Sequence, residues 1–307
     1  MKKIAVLMSA YNGQNFIEEQ INSILSQQVP EQYEVRLYIR DDHSSDLTRD
    51  KLETIAKLNT GKIVLLKNID GNLGVTQSFF EMLNYVESDY YFFSDQDDVW
   101  LPRKIVTAIN ALQNVDVPAL YYGTMTSTDQ NLNIIRTVNT KNSYHSYFDS
   151  LNQNLASGLT MAFNKQLVKI FKSQYKNLNL ENVVMHDAWI FLLATTFGLV
   201  FFDKTPYVLY RQHGENVVGS TSNNVSDKVR KTWQVFEKEY SNPKFKLQVN
   251  ELLRCYGSEI ETNKLNDIEL VVSHKGIIRN FKMLRKTHLK NNMLNYLVKL
   301  NILLGRY

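Results

Sequence analysis

Tyr91-Phe92-Phe93-Ser94-Asp95-Gln96-Asp97-Asp98-Val99-Trp100 joins an aromatic run to three carboxylates within four residues. The run reads as a buried strand, and a strand interior excludes charge of this density unless something pairs with it. The usual partner is a divalent cation held by oxygen ligands. Carboxylates at this spacing make a poor cage alone, but phosphate oxygens can complete the octahedron. The stretch therefore points to a metal–diphosphate site at the end of a sheet strand. The plain alternative is an acidic loop that caps the next helix, with Pro102 near its first turn.

The segments upstream supply the sheet. Ile4–Met8 is a continuous apolar run, as a parallel strand buried on both faces requires. Gly13 breaks it, and Phe16, Ile17, Ile21, Ile24 and Leu25 recur at helical spacing. A strand is expected at Val35–Ile39, ending in Arg40-Asp41-Asp42-His43-Ser44-Ser45-Asp46. A helix should span Leu47–Leu58, with Ser45 or Asp46 as its cap, and a strand Ile63–Leu66. Asn72-Leu73-Gly74 precedes a helix from about Thr76 to Val86, which leads into the strand before Asp95. This β-α-β-α-β-α-β order predicts a doubly wound α/β sheet. Ligands bind such sheets outside the carboxyl ends of the strands, where Ser9–Gly13, Asp41–Asp46, Asn68–Gly74 and Asp95–Asp98 fall.

Further strands are expected around Leu120–Met125, Leu159–Phe163, Leu199–Phe202 and Tyr207–Tyr210. The longest apolar stretch, Trp189–Phe202, is too short to span a membrane and reads as a buried helix ending near Gly198, then a strand. Met1–Met8 begins like an export signal, but its apolar run stops at Tyr11-Asn12-Gly13-Gln14. From about Ser226 the texture is helical: Val229, Trp233, Phe236 and Tyr240 form one stripe, and Asn242-Pro243 opens another helix.

At 307 residues, 44% hydrophobic and 21% charged, the chain has the material of one large globular domain or a domain with an appendage. Its 17 Tyr and 15 Phe suit stacking on bases and sugars, and equally suit a core. The single cysteine, Cys255, excludes an internal disulfide and a thiolate cluster, and is compatible with a reducing cytoplasm. The formal charge of +4 is concentrated: from Glu269 onward no acid follows, whereas eight Lys and Arg do. Ile277, Phe281 and Leu284, then Leu294, Leu297, Val298 and Ile302, give this basic tail an amphipathic pattern. It could lie on an anionic membrane surface or pack on the rest of the protein.

Several chemistries are disfavoured because their motifs are missing. No G-x-G-x-x-G follows the first strand, and no G-x-x-x-x-G-K-[ST], H-E-x-x-H or G-x-S-x-G occurs. A diphosphate would have to be held by a metal and by loop amides.

Seven segments, in order across residues 4–219, resemble the family-2 glycosyltransferases of the GT-A fold, and within them the bacterial rhamnosyltransferase-like branch. They are Val6–Gly13, Ile39–Thr48, Asn72-Leu73-Gly74, Ser94–Trp100, Ser157-Gly158, Met185-His186-Asp187-Ala188-Trp189 and Tyr210–Asn216. The resemblance implies a Rossmann-like mixed sheet over residues 1–219, with a helical, basic extension over 220–307. It implies a metal-dependent, inverting transfer of a sugar from a nucleoside diphosphate donor to an acceptor hydroxyl.

On that resemblance, Ala10, Tyr11, Asn12, Asp42 and Asn72 hold the nucleotide, and Asp95 touches the ribose or metal. A carboxylate at Asp42 can accept the N3–H of uracil or thymine. His43 stands where the family commonly has a small residue. Asp97 is expected to ligate Mg²⁺ or Mn²⁺, and His213 to join it or contact the diphosphate. Asp98, Gly158, His186, Trp189 and Arg211 would line the donor and acceptor sugars, although Arg211 could equally pair with a surface carboxylate. Asp187 is the candidate general base, the plain alternative being an Asp in a helix first turn.

The donor expected is dTDP-L-rhamnose, with UDP-glucose or UDP-galactose next. The acceptor expected is a glycan or lipid-linked saccharide in cell-surface polysaccharide synthesis. The expected location is the cytoplasm or the inner face of the plasma membrane, with no nucleic acid as partner. The absence of Q-x-x-R-W and of a spanning helix suits an enzyme that adds one or a few sugars and releases. A catalytically silent subunit would not need Asp97 and Asp187. A nucleotidyltransferase would need a Gly-rich, Arg-containing loop that Ser9–Asn15 lacks.

Overall fold

The computed structural model describes residues 1–67, 71–137, 146–213, 244–272, 277–286 and 299. The chain divides into two compact units. One holds the sheet and comprises residues 1–143, 156–175 and 198–217. The other is helical and comprises 144–155, 176–197 and 218–307. A single cut at 219/220 therefore does not separate them, because the helical unit draws two segments from the middle of the chain.

In the sheet unit, β1 (Lys2–Ala10), β2 (Tyr33–Asp41), β3 (Ile63–Leu65) and β4 (Tyr90–Ser94) pair in parallel in the order β3-β2-β1-β4. They alternate with α1 (Ile17–Leu25), α2 (Thr48–Leu58) and α3 (Gly74–Tyr85). Beyond β5 (Val99–Trp100) and α4 (Lys104–Leu112) come β6 (Ala119–Thr128) and β7 (Ile134–Thr137). After α5 (Tyr147–Ser150), which belongs to the helical unit, β8 (Ala162–Asn164) and α6 (Lys165–Gln174) follow. Here β8 runs antiparallel between β4 and β6, so the sheet is mixed rather than wholly parallel. The long β9 (Leu199–Arg211) pairs in parallel with β6, and β5 lies antiparallel on its far side.

Two antiparallel steps restore the original direction. The carboxyl ends of β6 and β9 therefore leave the sheet on the same edge as those of β1, β2 and β4. The register fixes this edge closely, pairing Ala10 with Asp41 across β1 and β2 and Met8 with Ser94 across β1 and β4.

Burial follows the sequence pattern. Ile4–Met8 is buried throughout, with Ile4, Val6 and Met8 in one core against Ile17, Ile21, Ile105 and Ile109. Strand alternation sends Phe92 to that face and Phe93 to the other, where it packs edge-on to Phe79 at 4.9 Å and Phe163 at 5.0 Å. Two expectations change. Leu159–Phe163 is a single tight turn, Gly158–Thr160, followed by the short β8. Leu199–Phe202 and Tyr207–Tyr210 are one strand, because register shifts against Gly123–Thr126 absorb the intervening residues around Pro206.

The helical unit is built on α7 (His186–Phe197), which is buried on nearly every side. A helix apolar all round needs neighbours all round. Among them are α5, α8 (Lys244–Tyr256) and α9 (Thr262–Val272), with Tyr256 stacking obliquely on Trp189 and Phe197. The helix expected after Asn242-Pro243 is α8, whereas the stripe at Val229–Tyr240 lies outside the described residues. Cys255 is a buried free thiol. In the tail, α10 (Ile277–Lys286) buries Met283 and leaves Lys282, Arg285 and Lys286 exposed, with Lys286 paired to Asp267. Most of the tail beyond it is outside the described residues. Among the described residues no helix is long and apolar enough to cross a membrane.

Gly198 begins the turn into β9, but not as the left-handed cap its position after a helix suggests. An added Cβ there would lie 1.9 Å from the Pro118 carbonyl oxygen. Backbone, not a movable side chain, fills the space. Gly198→Ala should therefore cost about 2–3 kcal/mol, read as a lowered urea midpoint at unchanged m-value. A wild-type midpoint would show that the β6–β9 entrance yields freely.

Candidate active site

The polar edge of the sheet is assembled by side chains that grip main chain. Gln96 accepts from the Tyr11 amide at 2.8 Å and donates to the Tyr11 carbonyl at 2.7 Å. Its amide crosses the face of Gly13 so closely that a Cβ there would lie 2.2 Å from Gln96 Oε1. Asn12 adopts the left-handed region at φ 49°, which Asn tolerates, and accepts from the Ser45 amide at 2.8 Å. The Gly13 amide donates to Thr48 Oγ1 at 2.8 Å, and Asp46 accepts from the Gln14 and Thr48 amides. Asp46 therefore holds the Thr48 amide from one position before the N-cap of α2, which is Leu47 and not the Ser45 or Asp46 expected. The loops after β1, β2 and β4 form one cross-braced platform. On it Tyr11 stands half-exposed, Asn12 and Asp95 are partly buried and Ala10 is fully buried. Asn72, on the loop before α3, is exposed, and its Oδ1 accepts from the Gly74 amide at 3.1 Å. His43 has φ 64°, in the left-handed region that favours glycine.

Asp42 has a different task from the base contact expected of it. It is buried, ion-paired with Arg40, and accepts from the Leu73 and Gly74 amides at 2.8 Å each. Arg40 also donates to Ser78 Oγ at 3.0 Å and to the Gly71 carbonyl at 3.1 Å. The pair ties the end of β2 to the start of α3. Both Asp42 oxygens are engaged, and Asp41 beside it is the partly exposed carboxylate of the two.

Beyond β4, Asp97 meets the residue delivered by the end of β9. His213 Nε2 lies 2.7 Å from Asp97 Oδ2, and the imidazole packs against Phe16 at 4.9 Å. Arg211 frames this pair. Its Nε donates to the Asp97 carbonyl at 2.8 Å and its amide to Asp98 Oδ1 at 3.2 Å. Its guanidinium reaches the Gln130 carbonyl and Glu19 while lying 4.7 Å over the Phe16 ring. With its side chain 3% exposed, Arg211 is a brace rather than a sugar contact, and Glu19 is the surface carboxylate it pairs with.

Asp98 is not a sugar contact here either, being fully buried. Burial, reinforced by Asp97 and Asp95, raises its carboxyl well above the usual range. The nearby Lys104 amine is also buried, lying 4.0 Å over the Trp100 ring, and burial lowers it to about 7 against the pull of Asp98.

Asp187 lies in the helical unit, at the first turn of α7. Its Oδ1 accepts from Asn154 Nδ2 at 3.0 Å and from the Ala188 amide at 2.7 Å. The neighbouring His186 is buried, and burial lowers its imidazole to about 4 despite the adjacent carboxylate. It is therefore neutral near pH 7. Trp189 is fully buried against Tyr256, so it is core and not a sugar contact. Gly158 is buried at the start of its tight turn in the sheet unit. Sequence reasoning missed Gln96, Arg40 and Asn154. Gln96 alone had a local signal, standing between two of the carboxylates.

The model of glycosyl transferase family 2 matches residues 5–171. A dTDP-rhamnosyl transferase of Shigella flexneri, RfbG, is 28% identical over 236 residues, covering 73% of this chain and 76% of its own. Among solved structures, S. aureus TarS in complex with UDP-GlcNAc superposes with a TM-score of 0.56 at 14% identity, covering 98% of this chain and 81% of its own. The mannosyltransferase PcManGT of Pyrobaculum calidifontis, in complex with GDP-Man and Mn²⁺, gives 0.51 at 12% identity, covering 99% and 86%. The match over more than half the length, joined to a GT-A sheet whose loops converge as described, makes this chain a member of glycosyl transferase family 2.

Proposed function

We propose that this glycosyltransferase moves a sugar, foremost L-rhamnose from dTDP-L-rhamnose, to a hydroxyl of a glycan or lipid-linked saccharide with inversion. The observation that carries the proposal is the meeting of Asp97 and His213 beside the braced Tyr11–Gln96 platform. Tyr11 offers a ring face for the base, and Asp41 takes over the carboxylate role because Asp42 is engaged. The rhamnosyl donor rests on the RfbG likeness. The UDP-GlcNAc bound by TarS favours a UDP-linked sugar as the second reading.

An oxygen and a nitrogen donor 2.7 Å apart, both partly buried, suit two ligands of a hard divalent cation. Among the described residues no cluster of three or more such side chains could hold a metal, so diphosphate oxygens and water would complete the shell. Bound Mg²⁺ or Mn²⁺ would supply a Lewis acid for the departing diphosphate. Asp187 would accept the proton of the attacking hydroxyl, its Oδ1 held in place by Asn154 and the Ala188 amide, whereas both ring nitrogens of the neighbouring His186 are buried. The run of eight cations after Glu269 suits an acceptor at an anionic membrane surface.

Four measurements test these roles. EDTA should abolish turnover and Mn²⁺ restore it. Asp97→Asn and His213→Ala should each weaken Mn²⁺ binding in the presence of UDP about tenfold or more, read by the free-ion EPR signal. Unchanged Mn²⁺ affinity in both variants rejects the metal assignment. Asp187→Asn should lower kcat about a hundredfold with little change in donor KM, and near-normal turnover would exclude it as the base. Gln96→Ala should weaken nucleotide binding about tenfold, near 1.4 kcal/mol. Gly13→Ala should match it, and the double variant should add nothing further by calorimetry. Additive losses would mean that the two positions act separately.

A further inference from the structure

The helix that follows Pro243 lies more than fifty residues beyond Asp187 in sequence, yet in the helical unit it holds the segment that leads into Asp187. Two α8 side chains do this, and both are buried: Gln248 is 1% exposed and Glu251 2%. Glu251 Oε1 accepts from the Asn179 amide at 2.6 Å and Oε2 from Asn182 Nδ2 at 3.0 Å. Gln248 Oε1 accepts from the Val184 amide at 2.9 Å. These contacts span the single turn Leu180–Asn182 and reach three residues short of Asp187.

A buried carboxylate is costly unless several donors meet it. Here Arg254 also binds Glu251, and Arg254 reaches the Asn177 carbonyl. Burial alone would raise the Glu251 carboxyl, but these hydrogen bonds outweigh it and hold the group at about 2. The residue is therefore an anion at neutral pH, and its acceptors are directed at the Asn179 amide and the Asn182 side chain of the 179–184 loop. An apolar residue could fill the same space without desolvating a charge, but it could not fix the register of that loop. On the other flank Asn154 holds the Asp187 carboxylate itself.

Resting on the reading of Asp187 as base, we infer that Gln248 and Glu251 are positioning residues for it. The α8 segment is then part of the catalytic apparatus rather than an appendage. A base displaced by about an ångström can lose on the order of a hundredfold in rate, so tethers of this kind act on turnover and not on nucleotide binding.

The test uses the full-length protein with UDP-glucose and dTDP-L-rhamnose as donors and water as acceptor, reading release of nucleoside diphosphate. Glu251→Gln and Gln248→Ala should each lower kcat about tenfold and shift the acidic limb of the pH–rate profile. UDP and dTDP affinities should stay at wild-type values. Leu252→Ala, a buried change on the same helix, should lower Tm without moving that limb. Asn250→Ala on its exposed side should change neither. Hydrogen exchange gives a readout independent of turnover: amides in 179–188 should exchange about tenfold faster in the two tether variants, while those of β1 stay protected. If Asp187→Asn is impaired but both tether variants keep wild-type kcat, or residues 179–188 keep their protection, the inference is overturned. Parallel loss of nucleotide binding would also overturn it, by showing general unfolding. If Asp187→Asn itself is unimpaired, the base assignment fails and not the tether.

Discussion

A strand buried on both faces can carry polar chemistry only where it ends, and this constraint organises the sheet unit. β1 is apolar and buried over Ile4–Met8, with helices on both sides, so functional groups accumulate just past Ala10, Asp41 and Ser94. Two antiparallel steps through β8 bring β9 back into the same direction, which delivers His213 to Asp97 across 116 positions of sequence. No local signal around either residue requires that meeting. It follows from the direction of the strands.

The first half of the fold was readable because its signals are local. Apolar runs, Gly13 and Gly74, and the polar strand ends give strand, helix and loop in turn. The second half was harder for definite reasons. Residues 159–163 look like a strand by composition but spend their first part as a tight turn, and β9 hides its continuity behind Asp203–Pro206. At the site, the acidic segment announced itself. Which carboxylate stays accessible did not, because that depends on partners far away in sequence: Arg211 for Asp98, and Leu73 and Gly74 for Asp42. Trp189 looked like a contact because it neighbours Asp187, yet helix periodicity turns adjacent residues to different sides.

Charge is managed around the acidic loop as well as placed in it. Three carboxylates in four residues would repel one another strongly if all were ionised and dry. Asp98 avoids this by burial that favours its neutral form, and Lys104 beside it is likewise drawn towards neutrality. Asp97 keeps its polar partner, and Asp95 remains partly solvated. The loop thus holds one buried carboxyl and two partly exposed ones, a division set by exposure rather than by residue type.

The Gln96 clamp has a consequence for how such an enzyme can change. It grips the amide and carbonyl of position 11, atoms that every residue but proline shares. The ring of Tyr11 takes no part in the grip and stands in solvent. Position 11 can therefore drift among side chains while its backbone stays fixed, whereas Gly13 and Gln96 are locked to each other by the absence of room between them. On the proposed role of Tyr11 at the base, preference for one nucleobase over another could be retuned at a single place, with the scaffold beneath it left intact.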